Sequence, residues 1–454
     1  MRPRSWWLVL VLAVPAAAQP AGLTLPQAVE QVWEKYPAVR AALEQASAAA
    51  AGIDLARTAY LPRADFLGQL NRATRNNVFG QLLPQGVIPS LTGPVLGRTE
   101  LANVWGTAVG TLVSWEPFDF GLRRASVGAA QAAKDRAGAE TSVERLQVGA
   151  AAADAFLTTL AAQETVRAAQ AGVERARVVD QTIQALVKAE LRPGADASRS
   201  AAELAQARTQ LVLAEKAERV SRAALAQWLG ATGGALRLDQ GPLLRLPGDV
   251  AAGEPAASQH PRALALNAGI DVVRAGQKVL DRSWFPKFRV QAATFARGSG
   301  ARPDGTTGGA GAGLGPSFYN WALGMTVEFP ALDWPAIRAR RQIQAARQRT
   351  EQARYDQLLQ DLGGEIEKAQ AALEGARRVA EYTPLQLAAA RTLHEQVTAR
   401  YKAGLAILVE VAEAQRLLTQ AEIDDSLAAL GVWRSLLALR AAQGDLGPFL
   451  AQAR

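Results

Sequence analysis

Two segments that are nearly free of helix-breaking residues most strongly constrain what this chain can fold into. Residues 122–189 contain no proline, and residues 336–401 contain only Pro384. A continuous helix of about 68 residues would be about 100 Å long, because each residue adds about 1.5 Å. Helices of that length exceed the diameter of one compact globule. They predict a coiled-coil rod or the wall of a tube, with Pro384 where a kink would fall.

The chain also repeats itself. Pro37 and Pro62 recur about 224 residues later as Pro261 and Pro286, so the segments between them match without a gap. Two later landmarks recur at offsets of about 214 and about 210 residues. Residues 115–119 correspond to residues 328–333, and Arg192-Pro193-Gly194 corresponds to Lys402-Ala403-Gly404.

The repeat predicts a mainly α fold with a small β part, made of two similar halves. Each half runs helix, strand pair, very long helix, turn, helix. The first half covers residues 23–240, with strands at 63–72 and 104–115, the long helix at 122–189 and the next helix at 196–229. The second half covers residues 258–446, with strands at 288–297 and 318–329, the long helix at 336–401 and the next helix at 406–440.

The second strand of each pair has an alternating pattern with aromatic ends. In residues 104–115 one face carries Trp105 and Trp115, about 33 Å apart at 3.3 Å per residue. In the second half, Trp321 and Phe329 mark the same face. Aromatic residues at both ends of an apolar strand face are typical of strands in an outer-membrane barrel, so these four are predicted membrane-girdle residues. An ordinary half-buried strand of a soluble sheet is the alternative.

Segments rich in Gly, Pro and Asn join the strands of each pair, at residues 75–98 and 298–316. The glycine-rich run at 308–313 invites comparison with a phosphate-binding loop. No Gly-Lys-Ser or Gly-Lys-Thr follows it, and no helix is predicted to start there. We therefore expect both segments to be flexible extracellular loops.

The N-terminus has the three parts of a secretory signal. Arg2 and Arg4 supply positive charge, residues 6–14 form an apolar stretch, and three alanines precede a predicted cleavage after Ala18. The apolar stretch is shorter than the roughly 20 residues of a spanning helix, so any membrane attachment is expected to use strands. The chain has no cysteine, so we expect no lipid anchor on an N-terminal cysteine, and disulfides are excluded.

Charge and motif content argue against a nucleic-acid-binding protein and against an enzyme. The net charge of +8 is spread along 454 residues, without the basic stripe and interleaved aromatics of a nucleic-acid site. His260 and His394 are far apart and lack metal-ligand spacing. Dinucleotide and phosphate-loop fingerprints and a nucleophile elbow are missing from the sequence. We therefore predict neither catalysis nor a cofactor or metal.

At three places the sequence resembles the TolC-like outer membrane efflux proteins: residues 117–124 (Pro-Phe-Asp-Phe-Gly-Leu-Arg-Arg), 400–405 (Arg-Tyr-Lys-Ala-Gly-Leu) and 409–415 (Val-Glu-Val-Ala-Glu-Ala-Gln). With the repeat, the resemblance covers about residues 23–446. It implies a homotrimer in which each protomer gives four strands to one barrel in the outer membrane, while the helices form a tunnel across the periplasm. It also implies that a periplasmic adaptor, coupled to an inner-membrane pump, docks at the helix-to-helix turns around Gly194-Ala195 and Gly404-Leu405.

These turns also carry the predicted gate. Gly194 and Gly404 would each permit the left-handed cap that reverses the chain. Glu410 and Glu413 share one face of the next helix, where carboxylates complement the helix N-terminus. The alternative for Glu410 is that it only stabilises the N-terminus of this helix and does not line a pore. In a trimer the pair would form an acidic ring that favours cations, as the resemblance implies for the closed periplasmic entrance, with Tyr401 beside it.

The chain departs from the Tyr-Arg-Asp network that holds the gate shut in members of this family. Tyr401 fits the tyrosine position, whereas Ala406 and Ser200 occupy the other two. Three residues near the first turn are candidates to substitute: Asp196, Arg199 and Arg192.

Together these features predict the outer-membrane exit channel of a tripartite efflux or type I secretion system, in contact with outer-membrane lipid and extending into the periplasm. The alternative is an exported periplasmic coiled-coil structural or adaptor protein without a pore. Aromatic strand ends at bilayer spacing favour the channel, because a rod has no need of them. Drugs, metal ions, solvents and polypeptides are all candidate cargo, since selection occurs at the pump.

Overall fold

The computed structural model describes residues 22–74, 101–231, 236–248, 257–302, 304, 306–330 and 332–454. The predicted signal peptide at 1–18 and the predicted loop at 75–98 lie outside the described residues. The described helices are α1 (Leu25–Lys35), α2 (Pro37–Thr58), α3 (Leu122–Lys188), α4 (Gly194–Leu229), α5 (Pro261–Arg282), α6 (Trp334–Lys402), α7 (Leu408–Gln443) and α8 (Gly447–Gln452). The strands are β1 (Arg63–Thr74), β2 (Asn103–Phe118), β3 (Lys287–Ser299) and β4 (Phe318–Glu328).

These elements form two units, and each unit is assembled from both sequence repeats. The strand unit combines Ala42–Thr141 with Arg262–Leu358. The helical unit combines the described parts of Met1–Ala41, Ser142–Pro261 and Leu359–Arg454. The repeats are therefore not independent domains, because a matching piece of each is needed to complete either unit.

The two long helices, α3 and α6, contain 67 and 69 residues. Each contributes its N-terminal part to the strand unit and its C-terminal part to the helical unit. α6 continues as a helix through Pro384. In the part of the chain that the structure describes, no helix is both long enough and apolar enough to cross a membrane.

The core of the helical unit is formed largely by α1, α3, α7 and α8. α1 begins after Thr24, whose hydroxyl accepts the Gln27 N–H while the Gln27 side chain accepts the Thr24 N–H. This reciprocal capping box satisfies two backbone donors at the helix start. Phe156 is fully buried nearby, and the rings of Trp433 and Phe449 meet edge to face at 5.8 Å. Burying each such side chain contributes about 1.5–3 kcal/mol.

Small residues bring α3 close to its neighbours in this unit. Ala152 and Ala153 are fully buried. At Gly149 a Cβ atom would come within 2.7 Å of the Trp33 Nε1, which itself donates to the Arg145 carbonyl at 2.8 Å. The alanine-rich composition of the long helices therefore serves close helix packing.

The four strands form one antiparallel sheet in the order β1-β2-β3-β4, so β1 and β4 are the edges of the described sheet. One face of the sheet buries Leu112, Ala293 and Phe295. Gly110 stands opposite Phe295, and a Cβ there would clash with the neighbouring strand. Glycine at this position permits the close approach of β2 and β3.

The glycine-rich segment after β3 is anchored on β2. The Gly300 N–H donates to the Trp105 carbonyl at 2.9 Å, and the Thr107 hydroxyl donates to the Gly313 carbonyl at 2.9 Å. Gly313 has φ +93 and lies so close to the Trp105 backbone that a side chain would clash. The described part of the loop predicted at 298–316 is therefore fastened to the sheet instead of standing free of it.

Candidate functional site

The turn between α6 and α7 is closed by a left-handed glycine. Gly404 has φ +78. Its N–H donates to the Tyr401 carbonyl at 3.0 Å, and the Leu405 N–H donates to the Arg400 carbonyl at 2.8 Å. These two bonds form the Schellman motif, which satisfies carbonyls at a helix end. Gly404 thus supplies the left-handed cap that the sequence predicts.

The turn between α3 and α4 uses the same motif without glycine. Glu190 has φ +57, its N–H donates to the Val187 carbonyl at 3.0 Å, and the Leu191 N–H donates to the Leu186 carbonyl at 2.9 Å. Gly194 is instead the first residue of α4 and has no positive φ. The predicted left-handed cap at Gly194 is therefore wrong. The extended Pro193 stands between the two helices, so the reversal occurs before the proline.

The positions of the two caps change which residues of the first repeat correspond to which residues of the second at the tip. The two caps, Glu190 and Gly404, are separated by about 214 residues, and so are the first residues of α4 and α7. Both of these helices contain 36 residues, and each has one acidic residue in its first turn, Asp196 or Glu410. Gly194 therefore matches Leu408. The offset of about 210 drawn from the Gly-containing tripeptides is wrong, because their glycines occupy different places in the two turns.

Arg192 connects the first turn, between α3 and α4, to the second turn, between α6 and α7. Its guanidinium carbon lies 4.7 Å from the centre of the Tyr401 ring, and its Nη2 donates to the Tyr401 carbonyl at 3.2 Å. Tyr401 is 5% exposed and packs with Ile183 and Val411. Burial raises the pKa of the Tyr401 hydroxyl; the Arg192 charge opposes this rise and Asp196 adds to it. Tyr401 therefore faces the interior of its own protomer, which corrects its predicted place in a pore ring.

A second contact joins α3 to α4 behind the first turn. The Ser200 hydroxyl donates to the Asp180 carboxylate at 2.6 Å, and the Gln184 amide donates to the Ala197 carbonyl at 3.3 Å. Ser200, which stands at an aspartate position of the gate network, is thus itself bonded to an aspartate of the same protomer. Among the residues proposed to replace the network, Arg192 makes the contact between the two turns.

Glu410 and Glu413 lie at the start of α7, and each has an arginine neighbour. Glu410 accepts the Ile407 N–H at 3.4 Å and lies 3.8 Å from Arg400. Glu413 pairs with Arg416, and both of these side chains are about two-thirds exposed. Exposed pairs of this kind stabilise a fold by only about 0–1 kcal/mol. The pair is therefore accessible, but its face carries charges of both signs.

One face of the sheet is apolar and exposed; we call it the apolar sheet face. Residues paired across an antiparallel sheet share a face, and Phe66, Thr111, Thr294 and Trp321 form one such row. Trp321 is 80% exposed. The exposed large apolar residues of this face are Phe66, Leu70, Val109, Val113, Trp115, Tyr319, Trp321, Leu323, Met325 and Val327.

The four predicted girdle residues occupy different places on the sheet. The Trp115 indole donates to the Tyr60 carbonyl at 3.1 Å, Trp105 lies under the Arg72 guanidinium at 5.1 Å, and Phe329 follows β4. Trp321 is in register with Thr111 in the middle of β2, so it does not mark a strand end. The residues at the N-terminal end of β4 are Phe318 and Tyr319. The alternating sequence pattern predicts which residues of one strand share a face. Only the pairing of neighbouring strands shows which residues stand side by side across the sheet.

The sequence model of the outer membrane efflux protein family matches residues 28–231 and 254–445, which include most of both repeats. The chain belongs to the outer membrane efflux protein family. The predictions of a TolC-like protein and of a mainly α fold with a small β part are therefore confirmed, and the structure shows that the β part is one antiparallel sheet. Efflux through the outer membrane, the function predicted from the sequence, is the function for which this family is named.

The chain is similar to a curated export protein in sequence and to solved outer-membrane channels in fold. The pyoverdine export outer membrane protein OpmQ of Pseudomonas aeruginosa is 24% identical over 319 residues, which cover 69% of this chain and 65% of OpmQ. The chain thus matches a little less than two thirds of OpmQ. The outer-membrane channel OprN has a TM-score of 0.71 at 21% identity, covering 92% of this chain and 89% of OprN. The open state of the Neisseria gonorrhoeae channel MtrE has a TM-score of 0.73 at 19% identity, covering 93% and 89%. At these identities the likeness establishes the fold.

The chain also has tip residues that the sequence analysis missed. Glu190 caps α3, and Leu191 follows it just as Leu405 follows Gly404. Leu191 and Leu405 are 69% and 70% exposed. The offset of about 214 residues that relates Trp115 to Phe329 would have found this pair, because it also relates Leu191 to Leu405.

Proposed function

We propose that three copies of this efflux protein form the outer-membrane exit channel of a tripartite export system, each giving four strands to one barrel. The apolar sheet face, with open edges at β1 and β4 of the described sheet, carries this proposal. Backbone groups at a lipid-exposed sheet edge cost several kcal/mol each when they lack partners. Pairing β1 of one copy with β4 of the next removes both edges, and the family resemblance sets the number of copies at three.

Fractionation of cell envelopes tests the exit-channel proposal. We expect the protein in the outer-membrane fraction, and an unheated sample should migrate in a gel as an oligomer that heating converts to the monomer. Separating the copies would expose unpaired strand edges to an apolar medium, which is costly, so we expect dissociation only on heating. Recovery of the folded protein as a soluble monomer would contradict the channel and favour an exported coiled-coil protein without a pore.

We further propose that the two tip turns dock a periplasmic adaptor coupled to an inner-membrane pump. The support is the exposed apolar surface that each turn presents, Leu191 in the first and Leu405 in the second, beside the exposed Gly194 and Ala195. Exposed leucines rimmed by polar residues are typical of protein interaction sites.

Because the chain has no cysteine, a single engineered cysteine allows a specific cross-linking test of docking. Leu405→Cys should cross-link to the adaptor in cells, whereas Leu246→Cys, also exposed but outside the tip turns, should not. Mass spectrometry of the cross-linked product would then identify the adaptor. Equal cross-linking from both positions, or from neither, would contradict docking at the turns.

We also propose that Glu410 and Glu413 contribute to an acidic ring around the channel axis. In planar bilayers, the double variant Glu410→Gln with Glu413→Gln should shift the reversal potential in the direction of anion selectivity. The reason is that the positive charges of Arg400 and Arg416 remain. Arg416→Gln should shift it in the opposite direction. Unchanged ion selectivity in both variants would remove this face of α7 from the pore.

Signal cleavage after Ala18 is a separate proposal, supported by the alanines at 16–18. N-terminal sequencing of protein recovered from the outer membrane should begin at Gln19. A mature chain that begins elsewhere would overturn the proposed cleavage site while leaving the exit-channel proposal intact.

A further inference from the structure

A cavity of about 300 Å³ lies beneath the tip turns, between α3, α6 and α7 of one protomer. Its apolar lining includes Val178, Val179, Ile183 and Val411. A volume of about 300 Å³ is at the lower end of the range that small-molecule sites occupy. All of the lining residues belong to the helical unit of one protomer, and the cavity opens to solvent where Val178 is half exposed.

Five polar side-chain atoms of residues that line this cavity are buried and make no hydrogen bond within the described residues. They are Arg175 Nε, His394 Nδ1, Thr398 Oγ1, Tyr401 Oη and Gln415 Nε2. A buried polar atom without a partner loses the hydrogen bonds that it would make to water, so native proteins rarely leave one unsatisfied. Five around one cavity point to a molecule that satisfies them.

The chemistry of these atoms defines what would fit. The Arg175 Nε and the Gln415 Nε2 can only donate hydrogen bonds, and the hydroxyls of Thr398 and Tyr401 can donate as well. An acceptor-rich group therefore complements the set. The other two nitrogens of the Arg175 guanidinium bind the Glu422 carboxylate, at 3.1 and 2.7 Å, which holds the remaining Nε–H in place.

The electrostatics of the cavity also favour an acceptor. Burial lowers the pKa of His394, the Arg175 charge lowers it further, and Glu395 and Glu422 act in the opposite direction. His394 is therefore neutral near pH 7 and adds no positive charge that would have to be matched. Among the charged residues that line the cavity, Arg175 and Lys402 are cations, whereas Glu174 is an anion that pairs with Arg177.

We propose that this cavity, which we call the tip cavity, binds a small apolar molecule with a carboxylate group. The carboxylate accepts hydrogen bonds from the donors of Arg175, Tyr401 and Gln415, and the apolar body contacts the valine and isoleucine side chains. Because the tip cavity is formed within one protomer, this site does not depend on the exit-channel proposal.

Benzoate is a suitable probe, and benzyl alcohol is its uncharged counterpart. Isothermal titration calorimetry on the detergent-solubilised full-length protein should show saturable benzoate binding, with benzyl alcohol at least about tenfold weaker. Benzoate should also raise the unfolding temperature, by an amount that grows with the logarithm of its concentration once that exceeds the Kd. Absence of saturable benzoate binding would overturn the proposal without affecting the exit channel.

Two variants separate this site from nonspecific binding. Tyr401→Phe removes a hydroxyl that has no partner in the described residues and keeps the ring beneath Arg192, so benzoate affinity should fall about fivefold to tenfold with the fold intact. Val178→Phe should fill the tip cavity and abolish binding. Tyr36→Phe, which removes a tyrosine hydroxyl elsewhere in the helical unit, should leave affinity unchanged. Equal binding by Tyr401→Phe, Val178→Phe and the unmodified protein would place benzoate outside the tip cavity.

Discussion

At the residue scale, a charged pair with many hydrogen bonds lies where β2 leads into α3. The Asp119 carboxylate accepts the Arg123 backbone N–H at 2.6 Å, the Arg123 Nε at 2.9 Å and the Gly121 N–H at 3.1 Å. The Arg123 guanidinium also donates to the Ala59 and Pro117 carbonyls and lies over the Tyr60 ring. Burial would raise the pKa of Asp119, but the bonds from Arg123 and Gly121 and the Arg123 charge together lower it.

Asp119→Asn should destabilise the protein by about 2–4 kcal/mol, because it leaves the buried Arg123 without a countercharge. The lowered pKa means that the Asp119 contribution is fully present above its ordinary value of 3.8 and is lost as the pH falls through the lower folded value. Unfolding temperatures measured across this pH range should show the loss in the unmodified protein but not in Asp119→Asn. The exposed Asp333 is the matching residue of the second repeat, and Asp333→Asn should change stability little. Equal destabilisation by both changes would contradict this account.

His394 should produce a second pH dependence, with its onset near neutrality. Its pKa is lowered by burial and by Arg175, so the folded protein favours the neutral ring. The unfolded chain takes up a proton near the ordinary value of 6.5, and stability should therefore fall as the pH drops below about that value. We expect a smaller drop in unfolding temperature between pH 8 and pH 5 for His394→Gln. An identical pH profile in the two proteins would exclude His394 as the cause.

At the element scale, the same turn is made twice from different residues. Both long helices end in a Schellman motif, but a glycine closes one and Glu190 closes the other. A left-handed non-glycine residue costs roughly 1–2 kcal/mol, because its Cβ crowds the following carbonyl oxygen. The bond of Arg192 to the second turn and the Ser200–Asp180 bond help to hold the first turn in this conformation. The tip is therefore maintained by tertiary contacts as well as by local geometry.

Four substitutions test this description of the turns. Gly404→Ala should destabilise the protein by about 1 kcal/mol, and Gly404→Val should cost more and impair efflux while trimers still assemble. Gly194→Ala should be neutral or slightly stabilising, because Gly194 is helical with open space around it. Glu190→Gly should be tolerated. Resistance assays in cells and unfolding temperatures of the purified variants give the two readouts. Equal effects at Gly194 and Gly404 would refute the different roles assigned to them.

At the scale of the whole molecule, the two repeats cooperate in both units. Each repeat supplies two adjacent strands to the sheet and one long helix that enters both units. The apolar sheet face is therefore built from both repeats, with Val109 and Trp115 from the first and Leu323 and Met325 from the second. A substitution in either repeat should accordingly affect the same surface.

Met325→Arg should impair assembly in the membrane, because a charged residue on the lipid face of a barrel costs about 2–4 kcal/mol near the bilayer centre. Thr326→Arg, at the next position on the opposite face of β4, should be tolerated much better. The amount of heat-modifiable oligomer in the outer-membrane fraction measures the effect. Equal loss of oligomer in both variants would show that the apolar sheet face does not contact lipid.

The sequence by itself determined the helices, the strands, the faces of β2 and β4 and the cap at Gly404. These follow from side-chain periodicity and local backbone preference, which neighbouring residues set. Only the tertiary structure decided that Trp321 stands level with Thr111, that Glu190 caps α3 in place of Gly194, and that Arg192 lies on Tyr401. Strand register and contacts between distant residues depend on which surfaces pack together. Periodicity along one segment does not contain that information.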